Sequence, residues 1–296
     1  MKALLKSIYR TIFDLRKKKK NILFAQIAKE TQGLTLLDLG AAGNIEPRWT
    51  VISPYLDYIG VEPDKRSNKL LGNKFNCRNY YVVDSIAWDK EDEVNFYLCK
   101  KPEVSSILKP NRDFLDKFPD SKRFNIEKKE FTKTKILDET LPAKEIDFIK
   151  LDIQGAELNA LKGMPNKLRN CLGLEIEVEF SELYINQPLF GDLDNFLKSN
   201  GFEFIDFTSL FRWERFKHNN YGQCIFGDGL WLRSPEYVVK NMPKKYSEYI
   251  LATAIYGRYD LALKTIDILK PDIEIKLKNK LKKLIKIQRK TRNITK

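Results

Sequence analysis

Residues 34–44, LTLLDLGAAGN, constrain the fold of this chain more than any other stretch. A short apolar run, broken by Asp38 near its end, passes straight into the glycine turn Gly40-Ala41-Ala42-Gly43. In open α/β sheets the first strand hands over to its helix in this way, and ligands bind beyond the carboxyl ends of the strands. The rest of the chain keeps the rhythm, with short apolar runs alternating with helical ones. The runs are LTLLDLG, YIGVEPD (58–64), YYVVDSIAW (80–88), IDFIKLDIQG (146–155), CLGLEIEVEF (171–180), FEFIDF (202–207) and QCIFGDGLWLR (223–233). The last two lie too close together for a crossover helix, so they are expected to pair as an antiparallel hairpin at the sheet edge. The fold class is α/β, a Rossmann-like sheet of seven strands, parallel except at that edge.

Between the strands, helices are expected over Lys65–Leu71, Ala156–Lys162 and Gly191–Ser199, the last closed by Asn200-Gly201. Residues 94–135 hold one further strand, VNFYLC, and a loop with Pro102, Pro110 and Pro119. Residues 1–32 read as a basic helical extension of two segments, the first carrying Leu4, Leu5, Ile8, Ile12, Phe13 and Leu15 as an apolar stripe and the second covering 22–31. Residues 235–296 read as a helical, basic C-terminal extension with a turn near Gly257, leaving 33–234 as the sheet domain.

Composition narrows the chemistry. An apolar content of 43% supports a real core, and no run approaches the roughly 18 apolar residues of a membrane span. Charges interrupt the opening MKALLKSIYRTIFDLRKKKK, unlike a secretion signal, so the chain is expected in the cytoplasm. Four dispersed cysteines without a C-x-x-C pair indicate neither disulfides nor a zinc site. The single histidine, His218, sits in the polar stretch RWERFKHNNYG and rules out sites built from several histidines. The net charge of +13 invites an acidic partner, whether nucleic acid, anionic lipid or a phosphorylated substrate. Its excess lies in residues 1–20 and 276–296, where a solvated face explains it equally well.

The glycine turn reads D-x-G-x-x-G, not the G-x-G-x-x-G of dinucleotide sites. Asp38 would repel a pyrophosphate there, but it suits a nucleoside ligand with a cationic centre and no phosphate. S-adenosylmethionine is such a ligand. Glu62, 22 residues after Gly40 at the end of the second strand, stands where a carboxylate takes both ribose hydroxyls. The cofactor set is therefore Asp38, Gly40, Ala41, Gly43 and Glu62. Asp84 and Ser85, after the third strand, are placed to reach the adenine edge, although an ordinary turn has the same position.

At IDFIKLDIQGAELNALKG (146–163) the chain resembles the FkbM-like family of S-adenosylmethionine-dependent methyltransferases. DLGAAGNIEPRW, GVEPD, SSILKP (105–110), IEVEFSELYINQPLFGDLDNFLKSNGF (176–202) and GDGLWLR (227–233) agree with that family's pattern. The resemblance implies a seven-stranded methyltransferase domain over 33–234 and O-methylation of a hydroxyl on a sugar, glycan or related natural product.

With no suitable histidine, a carboxylate is the natural general base for an alcohol, and Asp152 is the first candidate, Glu177 the second. Glu175, Glu177 and Glu179 alternate with apolar residues and so share one face of their strand, with Glu177 and Glu179 expected toward the acceptor. Glu157 is either an acceptor-site acid or an ordinary helix-start acid. Ser105 and Ser106 are expected to donate hydrogen bonds to the acceptor, though turn chemistry also explains them. A Mg2+ ion held by Asp152, Glu157 and Glu177 is a weaker alternative to a metal-free route. Two rivals remain. One is an RNA methyltransferase, which the charge invites but the DIQG motif and the placement of the lysines disfavour. The other is a protein bound to an anionic membrane or to a partner through its basic termini, with a vestigial cofactor fold.

Overall fold

The computed structural model describes residues 2–42, 45–68, 76–216, 221–269 and 275–292. Gly43, His218 and the second half of the helix expected over Lys65–Leu71 lie outside them, as do the side chains of Leu4, Leu5 and Ile8.

Ten strands, numbered in chain order, form two sheets among the described residues. The larger has seven: β1 (Leu34–Leu39), β2 (Leu56–Val61), β3 (Asn79–Val83), β7 (Phe148–Leu151), β8 (Gly173–Glu179), β9 (Glu203–Trp213) and β10 (Gln223–Leu232). Their order is β3-β2-β1-β7-β8-β10-β9. β1, β2, β3, β7 and β8 run parallel, while β10 is antiparallel to both β8 and β9, giving the hairpin edge that the short connection requires. The chain winds outward from β1 to β3 and returns to place β7 on the other side of β1. That reversal opens a crevice between the carboxyl ends of β1 and β7.

In the smaller sheet, β5 (Glu93–Cys99) and β6 (Ile126–Lys135) occupy the stretch expected to hold one strand and a long loop, while β4 (Ile86–Ala87) is the far end of the run 80–88, expected to stay in the large sheet. β6, IEKKEFTKTK, escapes a periodicity reading because it is a mostly exposed strand with little apolar content.

Each face of the large sheet is apolar for its own reason. Leu37 and Leu39 of β1, Ile149 and Leu151 of β7, and Leu174, Ile176 and Val178 of β8 pack with Leu161, Leu193 and Leu197 from the helices Glu157–Lys162 and Phe190–Ser199. On the opposite face Leu34, Leu36, Tyr58 and Phe148 surround Trp49, and helices from both termini close over them. Phe24, Ile27 and Ala28 come from the first helix; Ile250, Leu251, Ala254, Leu277 and Leu281 come from helices after Pro235.

The opening segment is one helix, Lys2–Glu30, not two. The expected break had no physical basis, since Lys17–Lys20 contains neither glycine nor proline and lysine is a good helix former. After Pro235 the turn at Gly257, with φ of +70°, separates the helices Tyr246–Ile255 and Tyr259–Ile268.

Candidate active site

A cavity of about 300 Å³ lies in the crevice, with Asp38 to Ala42 on one wall, Glu62 to Asp64 beside them, and Lys150 and Asp152 to Gln154 opposite. Phe96, Pro102, Ser105 and Ile107, from the region of the small sheet, cover it.

The β1 turn holds the site together through its backbone. Gly40 has φ of +79°, and a Cβ there would lie 1.8 Å from the Asp152 carbonyl oxygen, so only glycine lets the β1 and β7 turns touch. The Gly40 and Ala41 N–H groups donate to the Val61 carbonyl at 2.9 and 3.2 Å. These amides are committed within the sheet, so the first half of the turn does not cradle a phosphate as a dinucleotide loop would.

Asp38 is buried, with one oxygen accepting from the Tyr58 hydroxyl at 2.8 Å and the other facing the Lys150 ammonium at 3.5 Å. Burial pushes its carboxyl upward, while Lys150 and Tyr58 oppose that shift. Lys150 also lies 3.9 Å from Asp152. Burial would lower its ammonium, but Asp38 and Asp152 outweigh this and hold it protonated. Sequence reasoning missed Lys150 because it sits inside the apolar run FIKL. The register pairing Asp38 with Lys150, and Lys150 with Glu175, could have exposed it.

Glu62 is buried at the end of β2 and accepts from the Asp64 N–H at 2.7 Å. Burial pushes its carboxyl up to about 7; that N–H opposes the shift and the Asp64, Asp152 and Asp38 carboxylates add to it. Ser85 lines the cavity, and its buried hydroxyl has no hydrogen-bond partner. Asp84, expected beside it at the adenine edge, is instead exposed and does not line the cavity, whereas Ser85, Ile86 and Ala87 after it all turn inward.

The DIQG turn carries the densest polar arrangement. Gln154 adopts φ of +60°, a left-handed conformation uncommon outside glycine. Its amide nitrogen donates to both Asp152 Oδ1 and Glu177 Oε1 at 2.8 Å, and its amide oxygen accepts from the Tyr184 hydroxyl at 2.9 Å. Position 154 carries no glycine, so its left-handed geometry is not legible from residue type. Glu157 lies beneath the turn, 1% exposed, accepting from the Ile153 and Gly155 N–H groups at 2.9 and 3.2 Å. Both donors precede the helix Glu157–Lys162, so Glu157 ties the DIQG turn together from below. Burial pushes its carboxyl to about 7, against the pull of these backbone donors.

Glu175, Glu177 and Glu179 share a face, but they meet three different environments. Glu175 accepts from Thr208 at 2.6 Å and Tyr256 at 2.9 Å and pairs with Arg48 at 3.1 Å. Glu177 is half-buried on Gln154, its carboxyl raised by burial and then by the nearby Asp152. Glu179 is fully buried, and neither carboxyl oxygen makes a hydrogen bond of good geometry. Burial pushes its carboxyl well above the usual carboxylate range, with the Glu157 carboxyl adding to the shift.

Ser105 Oγ accepts from Arg66 at 3.0 Å and from the Cys99 N–H at 3.1 Å. Ser106 Oγ donates to the Gln154 carbonyl at 2.8 Å and accepts from the Leu108 N–H at 3.0 Å. Both hydroxyls thus fasten the covering segment to the cavity. Among the described residues, no three carboxylates, cysteines or histidines are grouped to hold a metal ion. Asp152 and Glu177 are bridged by the Gln154 amide, and the Glu157 oxygen nearest the turn faces backbone N–H groups.

The family profile described as "Methyltransferase FkbM domain" matches residues 48–204, more than half of the chain. No curated protein matches the sequence. Among solved structures, magnesium protoporphyrin IX methyltransferase from Synechocystis PCC 6803 with bound S-adenosylmethionine is similar at 9% identity and a TM-score of 0.34, over 74% of this chain and 79% of that one. A duf574 family protein from Streptomyces avermitilis gives 12% identity and a TM-score of 0.36, over 74% and 82%. The 23S rRNA methyltransferase ErmE gives 14% and 0.32, over 79% and 76%. At TM-scores below 0.5 none of these structures bears on the acceptor.

Proposed function

This chain belongs to the FkbM family of methyltransferases and is an S-adenosylmethionine-dependent enzyme, and we propose that it methylates a hydroxyl oxygen of a sugar, glycan or related small molecule. The observation that carries this reading is the Asp152–Gln154–Glu177 arrangement, in which the Gln154 amide fixes the Asp152 carboxylate at the cavity wall.

The cavity fits the cofactor on its own chemistry. The Ser85 hydroxyl, which has no hydrogen-bond partner, and the Asp38 oxygen, which faces only the Lys150 ammonium, are polar atoms buried at its lining, and Glu62 is a buried carboxyl beside them that can accept the hydrogen bonds of a diol once ionised. Asp38, Glu62 and Ser85 would hold the cofactor. When bound, it supplies an electrophilic methyl group for in-line displacement. The protein's part is to orient the acceptor oxygen and take its proton.

Asp152 suits the proton-accepting role. Its Oδ2 lies 3.9 Å from the Lys150 ammonium at the cavity wall, and the Gln154 amide fixes its Oδ1. Glu177, raised by burial, holds its proton more tightly and serves to anchor the other side of the same amide. A metal-free route is consistent with the bridging of these two carboxyls by an amide.

Asp152→Asn is expected to lower kcat by at least about 100-fold while S-adenosylhomocysteine binding, followed by calorimetry, stays near wild type. Asp38→Ala and Glu62→Ala are expected to lose that binding. Unchanged affinity in both would sink the cofactor assignment, and full activity of Asp152→Asn would remove the base.

A further inference from the structure

The two basic termini, distant in sequence, meet in space. Helix Lys2–Glu30 lies against helix Ile275–Arg292, with Arg16 donating to the Lys290 carbonyl at 2.7 Å and Glu30 paired with Lys280. Rising numbers on one helix meet falling numbers on the other, so the pair is antiparallel. The inner faces are buried through Phe24, Ile27 and Ala28 on the first helix and Leu277, Leu281 and Leu284 on the second.

The outward faces are not simply solvated lysine. On the first helix, spacings of three, four and seven residues put Leu15, Lys18, Lys19, Ile22 and Lys29 on one side, opposite the buried stripe. Leu15 is 55% exposed and Ile22 49%. On the second helix Ile275 is 58% exposed, and Lys282, Lys286 and Arg289 stand exposed along the same side. Exposed aliphatic groups ringed by ammonium groups gain nothing in water. They match an interfacial helix, whose cations meet anionic headgroups while its apolar side chains enter the acyl boundary. A nucleic acid backbone would use the cations and leave the aliphatic groups idle.

We propose that the paired terminal helices form a docking surface for an anionic lipid bilayer. Leu15, Ile22 and Ile275 enter the headgroup boundary, and Lys18, Lys19, Lys29, Lys282 and Lys286 meet lipid phosphates. Contact is peripheral: among the described residues no helix is long and apolar enough to cross a membrane. The first helix passes through a short turn into the amino end of β1, and the cavity opens at the carboxyl end of that strand. A membrane-bound enzyme therefore keeps its acceptor site clear of the docking helices' junction with the sheet.

The test is co-sedimentation of the full chain with vesicles of phosphatidylcholine alone and of phosphatidylcholine with phosphatidylglycerol. Pelleting is expected with the anionic vesicles only, and to weaken with added salt. Lys18→Glu with Lys19→Glu should lower vesicle affinity at least roughly 25-fold, about fivefold for each lysine lost. Leu15→Ser with Ile22→Ser leaves the charge unchanged and should also weaken pelleting, while circular dichroism and methyl-donor binding stay the same. A single-stranded RNA oligonucleotide serves as the competing ligand. Absence of pelleting, indifference of pelleting to the aliphatic pair, or binding of the RNA with the vesicles ignored would each overturn the proposal.

Discussion

Glu62 shows how one side chain couples this fold to its ligand. Its carboxyl titrates near 7 in the folded protein against about 4.5 in an unfolded chain, because burial and the neighbouring acids disfavour its charge. The folded state therefore keeps its proton while the unfolded state has already lost it. Stability is complete below about pH 4.5 and falls as pH rises toward 7, by roughly 3 kcal/mol once ionisation is complete. Glu62→Gln should match wild type in Tm near pH 4.5 and exceed it at pH 8; equal Tm values at pH 8 would show that the carboxyl is not strained. A ligand diol donating to this carboxylate reverses the shift, so cofactor binding near pH 7 should release a proton, visible as a binding enthalpy that depends on the buffer. Of the residues at this site, Asp38 and Glu62 were legible in the sequence because strand ends and glycine turns mark their positions. Lys150 and Gln154 were not. One is disguised by apolar neighbours, and the other takes a backbone conformation that no glycine announces.

At the scale of elements, what the chain discloses depends on burial. β1, β2, β7 and β8 stand out as apolar runs because both faces of the sheet are covered, and the hairpin β9–β10 follows from loop length alone. β6 stays hidden because it gains its place by pairing with β5 and β4, not by burying side chains. The extensions at the termini show their helices in the sequence but not their contacts, since an apolar stripe gives no hint of what it packs against. The structure puts Ile27 wholly inside the main core beside residues of β1 and the C-terminal helices. Ile27→Ala is accordingly expected to cost about 3 kcal/mol, whereas Ile22→Ala, at an exposed position five residues earlier, should change stability by less than about 0.5 kcal/mol. Denaturant titration of the two variants measures the contrast; equal small losses would mean that the helix is peripheral to folding.

Across the whole molecule, charge is sorted by location. Lysine and arginine collect on the terminal helices, while acids collect along the crevice, from Asp38 and Glu62 to Asp64 and Asp152. Lys150 is the exception, an ammonium set within that acidic lining, 3.5 Å from Asp38 and 3.9 Å from Asp152. A fully anionic pocket would grip the sulfonium donor much more firmly than its demethylated product, which lacks the positive charge. With a resident counter-charge, the pocket's preference between the two is muted. Inhibition by the spent donor is the expected consequence, with turnover then following how quickly the surroundings clear that by-product. Lys150→Met should restore the distinction, raising the ratio of affinities for S-adenosylmethionine over S-adenosylhomocysteine in calorimetry by at least about fivefold, the ~1 kcal/mol that a unit charge a few ångströms away is worth even at a water-like dielectric.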